Sequence, residues 1–223
     1  MEDARAYQEL RVGFTAAVSH ELRTPLARLF ALLETAALPG TDRDELLAQA
    51  REQVEQMTEL VNDVLFLSEL ESGREVVALG STEVLPVLEE ARDRLALSAE
   101  NADITIRIDA EPGIELPLRR RMLQTVVENL AQNSVRYAGP GATLVLAARP
   151  GVLEVSDDGR GVDEEELARL FERFYRSDRA RASRGTGLGL AIVKHVVVSA
   201  GGSVEASGGP GRGLHVACSF PAL

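Results

Sequence analysis

One break in periodicity constrains this chain more than any other feature. From residue 5 to 37, and again from 44 to 71, apolar residues recur every three or four positions, as on long helices. Beyond residue 72 the pattern changes to short alternating runs interleaved with shorter helical segments. The two long helices are separated by "LPGTDRD", whose Pro, Gly and Asp residues break one helix and cap the next. They form a helical hairpin. In its second helix Leu47, Ala50, Val54, Met57, Val61 and Val64 step in threes and fours, as the seam of a coiled-coil-like bundle does, and Leu60 and Leu67 widen the apolar face. One hairpin offers too little surface to cover such seams. Two hairpins are therefore expected to pair as a four-helix bundle, which makes the protein a homodimer.

The stretch "SGREVVALGSTEV" turns to Gly, Ser and short β-branched runs, so residues 73–82 read as a linker between a helical hairpin, 1–72, and a second domain, 83–223. That domain opens with a helix over 82–100, followed by the strand "ITIRI" and the helix "LRRRMLQTVVENLAQNSVRYA". The strands "ATLVLAA" and "GVLEVSD" are joined by Arg149, Pro150 and Gly151, a turn-forming set. A Gly-rich segment, the helix "LGLAIVKHVVVSA" and the strands "GSVEAS" and "GLHVACSF" complete it. Such an order predicts an α+β sandwich: one mixed sheet with helices on one face.

Charge and composition exclude several functions. A net charge of -11 repels nucleic acid and anionic membrane, and aromatics at 4% cannot build a base-stacking surface. The single Cys218 lies in an apolar strand, where a buried thiol is expected rather than a nucleophile. No run reaches the ~20 apolar residues needed to span a bilayer, and "MEDARAYQEL" is not a signal peptide. A cytoplasmic location is expected for this chain, with any inner-membrane sensor lying outside it.

His20 carries the chemistry of the first half. On the first helix Phe14, Val18, Leu22, Leu29 and Leu33 make the apolar stripe, and His20 lies about 200° around the helix from Val18 and Leu22. It faces away from the core. Glu21 can hydrogen-bond the imidazole, fix its tautomer and accept a proton when the other ring nitrogen attacks an electrophile. Thr24, one turn along, can hold a water near anything attached to His20. Pro25 cannot donate an amide to the carbonyl of Glu21, so the helix should kink or loosen there.

Three segments of the second half can hold a nucleotide. Asn129, Asn133 and Arg136 fall three or four residues apart on one helix face, with an amide oxygen suited to Mg²⁺, a guanidinium suited to phosphate, and the ring of Tyr137 beside them. A polar solvent stripe would have the same letters. In "VSDDGRGVD", Asp157 ends a strand, and Gly159 and Gly161 allow a tight turn or the close approach of a ligand. In "SRGTGLGLAIVKHVV", Gly185, Thr186, Gly187, Leu188 and Gly189 precede an apolar helix whose free amides can cradle phosphate. No Lys-Ser or Lys-Thr follows these glycines, so they are not a P-loop. His195 and His215 read as structural, and no His, Cys and carboxylate spacing suggests zinc.

"SHELRTPL" resembles the H box of sensor histidine kinases, and the three later segments, in order, resemble the N, G1 and G2 boxes of the Bergerat-fold ATPases. "LFERFYRSDRARA" resembles the kinase F box. This resemblance covers nearly the whole chain. It implies that His20 is phosphorylated from ATP with help from Glu21, and that Thr24 assists hydrolysis of a phosphorylated response regulator. Asn133 would bind Mg²⁺, Arg136 a phosphate, Tyr137 the base edge and Asp157 the adenine amino group, with Asn129 and the G1 and G2 glycines completing the nucleotide site. Residues 163–184 would form a lid carrying Arg173, Arg176, Arg179, Arg181 and Arg184. The implied partners are a second copy of the chain and the receiver domain of a response regulator. Ser134 stands where Ala is usual, Asp158 where Asn is frequent, and a single Gly precedes Thr186. Two other readings are a Bergerat ATPase clamp and a nucleotide-binding scaffold without transfer. The gyrase-like relatives carry a water-activating Glu near the position of Asn129, which counts against the clamp.

Overall fold

The computed structural model describes residues 2–72, 80–177 and 185–221, with side chains from residue 15 onward. Most of the linker, 73–79, and the stretch 178–184 with Arg179, Arg181 and Arg184 lie outside the described residues, as does the side chain of Phe14. The chain divides into two compact units, residues 1–66 and 67–223.

The first unit holds α1, Glu2–Ala36, and most of α2, Arg43–Glu71. Between them Gly40 takes a φ of 85°, and the Asp42 carboxylate accepts the amide of Glu45 at 3.1 Å, capping the first turn of α2. α1 runs unbroken through Pro25. The seam in α2 is not the expected one. Ala50, Gln53 and Leu60 are buried, whereas Leu47, Val54 and Val61 remain 52%, 50% and 42% exposed. The expected set mixed two faces. Residues 50, 53, 57, 60 and 64 follow one heptad track, while 47, 54 and 61 follow a neighbouring track that a single chain leaves open. α1 repeats the pattern, with Val18, Leu22, Pro25, Leu29 and Leu32 half-buried and Leu26, Phe30 and Leu33 exposed. Each helix thus carries two apolar tracks and covers only one.

The second unit begins with the last turn of α2, in which Leu67 and Leu70 are buried. It continues as β1, Thr82–Glu83; α3, Val84–Asn101; β2, Thr105–Asp109; β3, Glu115–Leu116; α4, Arg120–Tyr137; β4, Thr143–Arg149; β5, Val152–Asp157; α5, Glu164–Leu167; α6, Gly189–Ser199; β6, Ser203–Gly208; and β7, Leu214–Ser219. β1 and β3 pair as a two-stranded clip across the ends of α3 and α4. At two residues each they are too short to leave a sequence pattern.

The main sheet has the order β2-β4-β5-β7-β6 and is parallel only between β2 and β4. Strand alternation separates its faces. Leu144, Leu146, Ala148, Leu153, Val155, Leu214, Val216 and Cys218 are buried on one side, the side covered by α3, α4 and α6. The other side carries Arg107, Glu154, Ser207 and His215 and faces solvent. This is the expected mixed α+β layer. α4 lies at its centre, with Met122, Leu123, Val126, Val127, Leu130, Ala131 and Val135 forming the buried stripe. Ser134 interrupts that stripe with a hydroxyl.

Candidate functional site

His20 stands out from α1 with its side chain 76% exposed, and its Nδ1 lies 3.5 Å from Oε1 of Glu21. That distance is at the outer limit of a hydrogen bond, close enough for the carboxylate to bias the tautomer. With the proton on Nδ1 facing Glu21, the lone pair is on Nε2, free to attack an electrophile. Thr24 is exposed one turn further on. Pro25 has no amide to offer the carbonyl of Glu21, so that carbonyl beside the histidine lacks its usual helical donor.

In the second unit α4 is the wall that gathers the three expected segments. At its C-terminal end Ser134 donates its hydroxyl to Oδ2 of Asp157 at 2.8 Å. The other oxygen of Asp157 accepts the amides of Gly159 at 3.1 Å and Leu214 at 3.3 Å. A hydroxyl from α4, an amide from the loop after β5 and an amide from the start of β7 therefore fix this carboxylate. Asn129 donates to the carbonyl of Thr125 at 2.8 Å, and its Oδ1 lies 2.5 Å from where a side chain on Gly189 would begin. α4 thereby touches the N-terminus of α6. A side chain on Gly185 would likewise start 2.9 Å from the Tyr137 hydroxyl and 3.6 Å from Nη1 of Arg136. Asn133 is half-buried on the same helix. Among the described residues no three His, Cys, Asp or Glu side chains gather as a metal-binding group. A divalent ion here would rest on amide oxygen and on a ligand's own phosphates, a donor set that fits Mg²⁺.

Three of the candidate glycines, Gly159, Gly161 and Gly187, have backbone where a side chain would stand. A Cβ on Gly159 would stand 2.3 Å from the carbonyl oxygen of Ala138, at the end of α4. One on Gly187, which has a φ of 70°, would stand 2.8 Å from the carbonyl carbon of Phe174. Phe174 itself has a φ of 61°, and its amide donates to the Gly187 carbonyl at 2.9 Å. A phenylalanine held in the left-handed region is strained, and here the Gly187 contact holds it. Around it Arg169 stacks on the ring of Tyr175 at 4.3 Å, and the Tyr175 hydroxyl donates to Glu166 at 3.1 Å. Burial, and then that hydrogen bond, push the tyrosine pKa up. Arg173, one of the five arginines of the expected lid, pairs with Glu71 at the end of α2.

The chain matches two family models. Residues 10–73 match the His Kinase A (phospho-acceptor) domain, and residues 118–223 match the histidine kinase-, DNA gyrase B-, and HSP90-like ATPase. The chain belongs to the histidine kinases. It is 33% identical over 231 residues to the sensor-like histidine kinase SenX3 of Mycobacterium tuberculosis, covering 99% of this chain and 56% of that protein. It is 38% identical over 224 residues to the phosphate regulon sensor protein PhoR of Pseudomonas aeruginosa, covering 96% and 50%. The chain thus spans about half the length of the curated relatives it matches. Its fold is that of the Acinetobacter baumannii histidine kinase AdeS, with a TM-score of 0.70, 24% identity, and 90% of this chain and 97% of that chain covered.

For a histidine kinase, the placement of several further residues matters. Glu128, the acidic residue nearest the position of the gyrase-like catalytic Glu, pairs with Arg94 on α3, so its carboxylate is committed away from Asn129. Cys218 is fully buried, which pushes its thiol up to about 12. Among the described residues no helix is long and apolar enough to cross a membrane. His215 is on the open face of the sheet, 3.6 Å from Glu154 and 3.4 Å from the Ser207 hydroxyl. Ser134 is the site residue whose role the sequence reading missed. A polar residue on an otherwise apolar helix stripe was the signal that could have found it.

Proposed function

We propose that this chain binds ATP in its second unit and transfers the γ-phosphoryl group to Nε2 of its own His20, then relays it to an aspartate of a response regulator. The observation that carries the reading is the union, in one chain, of an outward histidine beside a carboxylate with an α4-centred site joining Asn129, Asn133, Arg136, Tyr137, Asp157 and the Gly185–Gly189 turn. Membership of the histidine kinases supports it.

Each residue has a separate task. Asp157, a carboxylate acceptor, takes a hydrogen bond from the adenine amino group and rejects the keto oxygen of guanine. Tyr137 packs against the base, and Arg136 pairs with phosphate. The free amides at the start of α6 bind further phosphate oxygens. Mg²⁺ held by Asn133 and the phosphates would neutralise charge as the γ-phosphoryl group leaves. Glu21 holds the Nδ1 proton and stabilises the positive ring that forms as Nε2 attacks. The phosphohistidine stores a labile nitrogen-phosphorus bond, which suits onward transfer to a carboxylate. Thr24, one turn from His20, positions water for the reverse, phosphatase direction. The open tracks Leu26, Phe30 and Leu33 on α1 and Leu47, Val54 and Val61 on α2 support a homodimeric four-helix bundle.

Incubation with γ-labelled ATP tests the reading. An acid-labile, alkali-stable label should form on the wild type and disappear in His20→Gln, while ATP binding by the variant persists. Labelling that survives in His20→Gln refutes it.

A further inference from the structure

The carboxylate proposed to read adenine is held by a side chain that the usual form of the motif lacks. Ser134 is only 4% exposed and lies on the apolar stripe of α4. A serine inside a helix ordinarily turns its hydroxyl back to the carbonyl four residues earlier, as Ser19 does to Thr15 at 2.8 Å. Ser134 instead reaches across to β5 and donates to Oδ2 of Asp157 at 2.8 Å.

The acceptor count of Asp157 then becomes informative. An ionised carboxylate has about four acceptor positions. Among the described residues three are taken: two on Oδ1 by the amides of Gly159 and Leu214, and one on Oδ2 by Ser134. One position on Oδ2 remains. The amides hold Oδ1 alone, so without the serine Oδ2 would have no partner among the described residues and the group could turn about its bond to Cβ.

We infer that Ser134 is a positioning residue for nucleobase recognition, its hydroxyl fixing the plane of the Asp157 carboxylate so that one acceptor position on Oδ2 is presented to the 6-amino group of a purine. This rests on the reading of Asp157 as the adenine-binding carboxylate. The serine need not touch the base; it sets how sharply the base is read.

The test pairs one substitution with one change in the ligand. Binding of ATP and of purine riboside triphosphate, which lacks only the 6-amino group, is titrated on the full chain for the wild type and for Ser134→Ala. The wild type should prefer ATP by about tenfold or more, the value of a hydrogen bond to a charged group. Ser134→Ala should lose most of that preference by weakening ATP, with purine riboside triphosphate bound within about twofold of the wild type. Binding of the second ligand also reports that the variant is folded. A variant that keeps the preference overturns the role of Ser134 and leaves Asp157 standing. An equal loss for both ligands reduces the serine to packing and overturns the inference too. A wild type indifferent to the amino group removes the reading of Asp157 and the inference with it.

Discussion

Replacing Gly159 by Ala tests whether the nucleotide site is assembled by backbone meeting backbone. The new Cβ would stand 2.3 Å from the carbonyl oxygen of Ala138 and 2.6 Å from both its Cα and its Cβ. Favourable carbon contacts lie near ~3.5 Å, so the loop and the end of α4 must part by about 1 Å. None of those atoms is the tip of a flexible chain. The displacement strains the hydrogen bond from the Arg160 amide to the Ala138 carbonyl, 2.8 Å, and pulls on the Gly159 amide that holds Asp157. Overpacking of this kind costs about 1–3 kcal/mol, a fall of about 3–10 °C in Tm for a domain of this size. ATP affinity should fall by about tenfold, because the same shift misplaces Asp157. Gly141→Ala is the control: φ there is 81° but nothing lies within 4 Å, so it should cost about 1 kcal/mol in backbone strain and leave ATP affinity unchanged. Thermal melting and nucleotide titration measure both quantities. A Gly159→Ala protein that melts and binds ATP like the wild type would refute the packing argument.

Glu at Val54 or Val61 should leave the fold of the second unit intact and split the dimer, since both side chains are on the uncovered track; light scattering would show the monomer mass, and an unchanged mass would count against the bundle. Thr24→Ala should slow dephosphorylation of a phosphorylated receiver domain by roughly tenfold or more while autophosphorylation stays within about twofold, measured by separate time courses. Cys218 should lower stability at alkaline pH. Burial raises its folded pKa to about 12 from 9.0, so the native state keeps a proton that the unfolded chain releases. That stabilisation is complete below pH 9 and declines by roughly 1.4 kcal/mol per pH unit from there to about pH 12, relative to Cys218→Ala in urea melts.

What was legible in the sequence was whatever repeats or alternates. The ends of α1, α2 and α4 follow from their periodicity and from breakers such as Pro39 and Gly40, and the turn at Pro150 and Gly151 joins β4 to β5 as expected. Which apolar track is covered could not be read, because Ala50, Gln53 and Leu60 on one side and Leu47, Val54 and Val61 on the other are both heptad sets. The expected seam took alternate residues from both tracks, and the buried one contains a glutamine that apolar patterning passes over. Close backbone approach is invisible for another reason: Gly159 and Gly187 carry the same letters whether ligand or chain fills the space, and only the fold brings Ala138 and Phe174 there. Pairings across long separations, such as Arg173 with Glu71 and Ser134 with Asp157, arise from topology rather than from any local pattern.

The most direct test of the central claim is site-resolved mass spectrometry of the chain after incubation with ATP and Mg²⁺, under neutral conditions that preserve phosphoramidates. The account predicts a single phosphoryl group on His20, absent when ATP is replaced by a non-hydrolysable analogue. A phosphoryl group on His195, on His215 or on a hydroxyl side chain, with His20 unmodified, would contradict it.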